Sequence, residues 1–220
     1  MKNHKLIQDI RVYKSDVENT DGNALPHEFA SKALNVVIHR IVMKLREANV
    51  TLGEFDHLYL NFTTCLPEGV IRPAARSVDR YHNWYRYYDI GLARDAHDGV
   101  VLQGVRESLV GHFGAYNDVQ TIERCMDAAL QEAEAMTVLH KEKKSAKAAA
   151  RVYLRYLDNG MYWPLLRVYD ANGVEIFCAD LPQMRDLLAL GDLQVSSKKV
   201  TIKPRKSSLT ADMKPMVYEF

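Results

Sequence analysis

"FDHLYLNFTTCLPEG", residues 55–69, decides how this chain is read. Leu58, Leu60 and Phe62 alternate with His57, Tyr59 and Asn61, the period of a strand, over about 56–63. Pro67, Gly69 and Pro73 then predict irregular chain over 64–77. Upstream, Ala30, Ala33, Leu34, Val37, Ile38, Ile41, Val42 and Leu45 recur at steps of three and four. That spacing predicts one apolar helical stripe over roughly 27–49, with Pro26 at its start. "LIQDIRVYK", 6–14, alternates loosely and predicts a first strand, and Asp21-Gly22-Asn23 marks a turn.

Downstream, "DRYHNWYRYYDI", 79–90, predicts a long strand, and 91–102 a loop. A short helix is expected near 103–113, closed by Gly114. Asn117 or Asp118 caps the next, whose Val119, Ile122, Met126, Ala129, Leu130 and Ala133 share a face. "HKEKKSAKAAA", 140–150, is charged and alanine-rich and reads as a helical extension or linker. "RVYLRYL" and "YWPLLRVY" flank the hairpin signal Asp158-Asn159-Gly160, and a second turn leads into "VEIFCAD". These predict a three-stranded meander, then a helix from Asp180 to Gly191 and a strand over about 193–203. The grouped elements give an α+β class: a mixed or antiparallel sheet packed against amphipathic helices, with a C-terminal β-meander plus helix. The expected divisions are an α+β domain over 1–140, an extension or linker over 141–150, and a β-rich subdomain with a basic tail over 151–220.

Lys and Arg number 29 against 28 Asp and Glu, so the whole chain exerts little field. That balance argues against a protein that works mainly by gripping phosphate backbones. The N-terminus lacks a secretory h-region and no apolar run is long enough to cross a bilayer, so a cytoplasmic chain with no membrane partner is expected. The three cysteines lie far apart and form no Cys-x-x-Cys, which rules out a disulfide framework and gives no zinc signature.

A nucleophilic Cys65 would need a base beside it, but His57, eight residues upstream on the same strand, is roughly 26 Å away when extended. His82 on the next predicted strand comes closer only in a suitable register. Cys65 is therefore read as a strand exit. "DAHD", 95–98, could serve a hard metal or a general base, but the following Gly99 favours a turn. The tail lysines and arginines, Lys198, Lys199, Lys203, Arg205 and Lys206, could touch phosphates, or could guard a strand edge. Residues 151–220 hold ten basic and eight acidic groups, an excess that favours the guarded edge. No phosphate loop, zinc-protease pair, nucleophile elbow or dinucleotide fingerprint occurs, which lowers the expectation of an enzyme, and no cofactor is called for.

"YHNWYRYY", 81–88, is the most unusual stretch. Trp, Tyr and Arg dominate protein interface hot spots, and the same residues can stack on bases. Trp84, Tyr85, Arg86 and Tyr88 are the candidate partner-binding residues. "LYLNFTT", "RSVDRY" and "WYRYYDIG", with the preceding amphipathic helix, resemble immunity proteins of bacterial polymorphic toxin systems. The resemblance spans about 5–135. It implies a small α+β protein that binds and blocks a cognate protein toxin domain without catalysis. The alternatives are a nucleic-acid-associated protein using the aromatic strand and basic tail, or a small enzyme using Cys65 or 95–98.

Overall fold

The alternation at the heart of 55–69 becomes the central strand of a sheet. The computed structural model describes residues 4–15, 27–28, 31–74, 84–92 and 97–220. It divides into two units, Met1–Ala133 and Glu134–Phe220, and the fold is α+β.

The first unit contains β1 (Asp9–Ser15), β2 (His27–Glu28), α1 (Lys32–Glu47), β3 (His57–Thr63), β4 (Ile71–Pro73), β5 (Tyr85–Gly91), α2 (Asp98–Phe113) and α3 (Val119–Gln131). The sheet order is β2-β1-β3-β5-β4. β1, β3 and β5 are parallel, with β2 and β4 antiparallel at the flanks. In register, Ile10, Leu58 and Arg86 form one row, and Val12, Leu60 and Tyr88 the next on the same face. The three helices contact one another, and α1 also packs on β1. Gly104 of α2 lies directly over Phe62 and Ile90, which places the helices on this row's side of the sheet.

Helix boundaries follow caps rather than stripes. α1 begins after Ser31, not at residue 27, because the Ser31 Oγ accepts from the Leu34 N–H at 3.0 Å and donates to the Asp98 carboxylate at 2.7 Å. His27 and Glu28 instead pair with β1. α2 begins at Asp98, earlier than expected, because the His97 Nδ1 accepts from the Gly99 N–H at 3.2 Å. Asp118 caps α3, accepting from the Thr121 N–H at 3.0 Å. The turn at Asp21-Gly22-Asn23, residues 79–83 of the predicted long strand, and Asp95 lie outside the described residues.

His39 sits on α1, and burial holds its pKa below the ordinary histidine value, against the pull of Asp9 and with a small contribution from Arg46. The unfolded chain takes a proton near pH 6.5. The folded chain resists it, so stability present above that pH is lost as pH falls. Urea unfolding at pH 7.5 and 5.5 should therefore show a loss on acidification that shrinks in His39→Gln. Equal losses in the two proteins would refute the assignment to His39.

The second unit contains β6 (Val138–Lys144), β7 (Ala148–Tyr156), β8 (Tyr162–Asp170), β9 (Glu175–Asp180), β10 (Asp192–Val195), β11 (Lys199–Lys203) and β12 (Met216–Glu219). β6 to β9 form an antiparallel sheet in sequence order, and β10 to β12 a second one. Residues 141–150, expected as a helical extension or linker, form no helix: they end β6, turn at Ser145 and begin β7. The unit boundary accordingly falls before β6 rather than at 140. Ala148, Ala150, Val152 and Leu154 alternate inward along β7, and Lys141 donates to the carbonyls of Leu190 and Gly191. The helix expected from Asp180 is also absent. Met184 instead exchanges backbone hydrogen bonds with Tyr162 at 2.8 and 2.9 Å, which draws the chain along β8. The final strand is a hairpin, β10 with β11. β11 is central in its sheet, so its lysines do not guard an edge.

Candidate functional site

β5 builds two surfaces because alternate residues face opposite ways. Arg86 and Tyr88 point to the helix side. There they line a cleft of about 350 Å³ with Phe55, His112, Phe113 and Tyr116. The buried rings of Phe55 and Phe113 meet edge-on with centroids 5.7 Å apart. The Arg86 guanidinium lies over the Phe55 ring, 5.3 Å from its centroid, and its Nη1 donates to the Tyr85 carbonyl at 2.7 Å. The Tyr88 and His112 rings stand 4.5 Å apart. Burial raises the Tyr88 pKa, with Tyr116 adding and Arg86 opposing, and burial lowers that of His112. Both groups are therefore neutral at pH 7 and offer hydrogen bonds without charge.

Tyr85 faces the other way. It stacks on Tyr59 at 4.9 Å and 15°, and Tyr87 and Tyr13 join the cluster edge-on or tilted. Arg11, paired with Asp9 at 2.7 Å, reaches over the Tyr59 ring at 5.5 Å. Farther along this face, the buried Asn61 Nδ2 donates to Asp89 at 2.9 Å, while its Oδ1 has no partner among the described residues. Trp84 precedes the strand, 37% exposed, and its carbonyl accepts from the N–H groups of Asp56 and His57 at 2.9 Å. Of the four residues singled out in the sequence, Arg86 and Tyr88 thus share the cleft, Tyr85 belongs to the tyrosine face, and Trp84 stands at the strand's entrance.

His57 pairs with Asp56 at 2.7 Å at the start of β3, whereas Cys65 lies exposed beyond the other end of that strand, so the two do not form a nucleophile–base pair. Of the 95–98 group, His97 caps α2 and Asp98 accepts a hydrogen bond from Ser31. Among the described residues no group of His, Cys, Asp and Glu is arranged to hold a metal ion, and no helix is long and apolar enough to cross a membrane.

The cleft partners His112, Phe113 and Tyr116 went unrecognised in the sequence, since they come from the end of α2 and the turn after it. So did a sheet face in the second unit, which alternation along β7 and β8 could have revealed. There Arg155 lies over Trp163 at 3.9 Å, Arg151 over Tyr169 at 4.8 Å and Arg167 over Tyr153 at 5.8 Å. These guanidiniums are matched by Asp180, Glu142 and Glu175, so the face holds little charge to offer a polyanion. No protein-family model matches the chain, and neither a curated protein nor a solved structure does.

Proposed function

We propose that this chain is an immunity protein, a cytoplasmic binding protein without catalysis that neutralises a cognate protein toxin by covering it. The observation that carries the reading is the composition of β5, a strand paired on both sides. It holds Arg86 and Tyr88 in an aromatic cleft, with Trp84 exposed at its entrance. Trp, Tyr and Arg are the residues that anchor protein interfaces. Side chains held by a paired strand and an adjoining helix lose little freedom on binding, which favours affinity. A toxin-blocking interface buries about 1,200–2,000 Å², so these residues would be the anchors of a larger contact.

The test is to identify the gene immediately upstream and to co-express the chain with any toxin domain that it encodes. Wild type should protect the cell. Arg86→Ala and Tyr88→Ala should weaken toxin binding about tenfold or more, a loss of about 1.4 kcal/mol, and reduce protection. Tyr85→Ala reports on the opposite face. Unchanged protection by folded alanine variants at Trp84, Tyr85, Arg86 and Tyr88 would refute the site. An unrelated metabolic gene upstream, with no toxin blocked, would refute the function.

A further inference from the structure

Arg86 differs from the other arginines placed beside aromatic rings. Arg11, Arg151, Arg155 and Arg167 are each matched by an Asp or Glu. Arg86 is half-buried and has no carboxylate partner among the described residues. Its guanidinium carries five N–H donors in a planar fork, of which one bond, to the Tyr85 carbonyl at 2.7 Å, is made among the described residues. Phe55 covers one side of the guanidinium. The surrounding cleft has a floor of Leu52, Phe55 and Phe113, exposed by 1%, 8% and 2%. Tyr88 and His112 add neutral hydrogen-bonding groups, and Tyr116, 52% exposed, forms the mouth. Clefts of about 300 Å³ or more, walled by aromatic rings with a few convergent polar groups, hold small ligands or single side chains.

We infer that this cleft binds a carboxylate attached to a small apolar or aromatic group. The Arg86 fork matches the two carboxylate oxygens, and the rings of Phe55, Tyr88, Phe113 and Tyr116 enclose the apolar part. Glu54 also lines the cleft, but it is exposed and has an interaction of its own, and an ammonium group at Arg86 would meet the guanidinium's charge. A wholly apolar ligand would strip water from the guanidinium without replacing its hydrogen bonds. The carboxylate belongs either to a free small acid or to an Asp or Glu side chain of a protein docked on β5. The chemistry is shared, and only the protein source rests on the proposed function.

The experiment titrates benzoate and, separately, the blocked dipeptide acetyl-Glu-Phe-amide into the full ¹⁵N-labelled chain. Amide shifts should concentrate at residues 52–55, 86, 88 and 112–116, with a dissociation constant of about 1 mM or below for at least one probe. Arg86→Gln should weaken binding about tenfold or more, and Arg86→Lys, which keeps the charge but loses the fork, should fall between. Tyr116→Ala, at the exposed mouth, should weaken it about threefold and serves as the second variant if Arg86→Gln does not fold. Binding of benzoate alone identifies a free small acid, whereas binding of the dipeptide identifies a protein side chain. The inference is overturned if neither probe moves these amides at about 20 mM, or if a folded Arg86→Gln binds like wild type. Either result leaves the toxin reading to its own assay, because protection can come from contacts outside the cleft.

Discussion

Gly91→Ala is expected to cost the first unit about 3–5 kcal/mol, a large share of the roughly 5–15 kcal/mol that holds a folded domain. An added Cβ would lie 1.8 Å from the Pro67 carbonyl oxygen and 2.6 Å from its carbon. Both are backbone atoms, so no side-chain rotation relieves the overlap. The loop cannot simply retreat. Gly91 donates to the Val70 carbonyl at 2.8 Å, and its own carbonyl accepts from the Gly69 N–H at 3.1 Å. The Leu92 N–H holds the strand end to Thr63 at 2.9 Å. Gly69→Ala is the control. Its Cβ meets nothing within 4 Å, but its φ of +76° favours glycine, so about 1 kcal/mol is expected. Each unit holds one tryptophan, Trp84 or Trp163. Urea unfolding followed by Trp84 emission in a Trp163→Phe background therefore reads the first unit alone. A loss below about 1 kcal/mol for Gly91→Ala would show that the 66–70 loop does not sit on the end of β5.

Phe62→Ala should cost about 3–5 kcal/mol, because a fully buried ring between β3 and α2 is removed and the cavity closes only in part. The same contact makes Gly104 necessary. A Cβ there would lie 2.7 and 2.9 Å from Phe62 ring atoms and 3.4 Å from the Ile90 Cδ1. Helix propensity favours alanine over glycine by up to about 1 kcal/mol, but overpacking costs about 1–3, so Gly104→Ala should be a net loss. Phe62→Leu removes the ring edge that the new methyl would strike. The double variant Phe62→Leu with Gly104→Ala should therefore be more stable than the sum of its singles by about 0.5 kcal/mol or more. Strict additivity in denaturant titrations would mean that α2 does not pack on Phe62 as described.

The candidate site depends on both contacts. Phe62 and Gly104 set how closely α2 approaches the sheet, and that spacing holds His112 and Phe113 over Tyr88. A variant that shifts α2 should disturb the cleft before it unfolds the unit.

Several features were legible because they depend on near neighbours in the chain. Alternation located β3, three- and four-residue spacing located α1 and α3, and the pair Asn117 and Asp118 marked the start of α3, where Asp118 is the cap. The turns at Asp158-Asn159-Gly160 and before Val174 located β7, β8 and β9. The same local reading misassigned 141–150, since lysine and alanine favour a helix and only pairing between β6 and β7 makes these residues strands. It also placed a helix after Asp180, where backbone bonds to Tyr162 and Pro164 hold the chain extended.

At the candidate site, the sequence by itself determined an arginine and tyrosines on a strand, with Tyr85 turned from Arg86 and Tyr88. Tertiary structure decided that Arg86 lies in a cleft with Phe55, His112 and Tyr116, with no carboxylate paired to it among the described residues. Periodicity follows from backbone geometry within a few residues, whereas the surroundings of a charge follow from segments brought together across the chain.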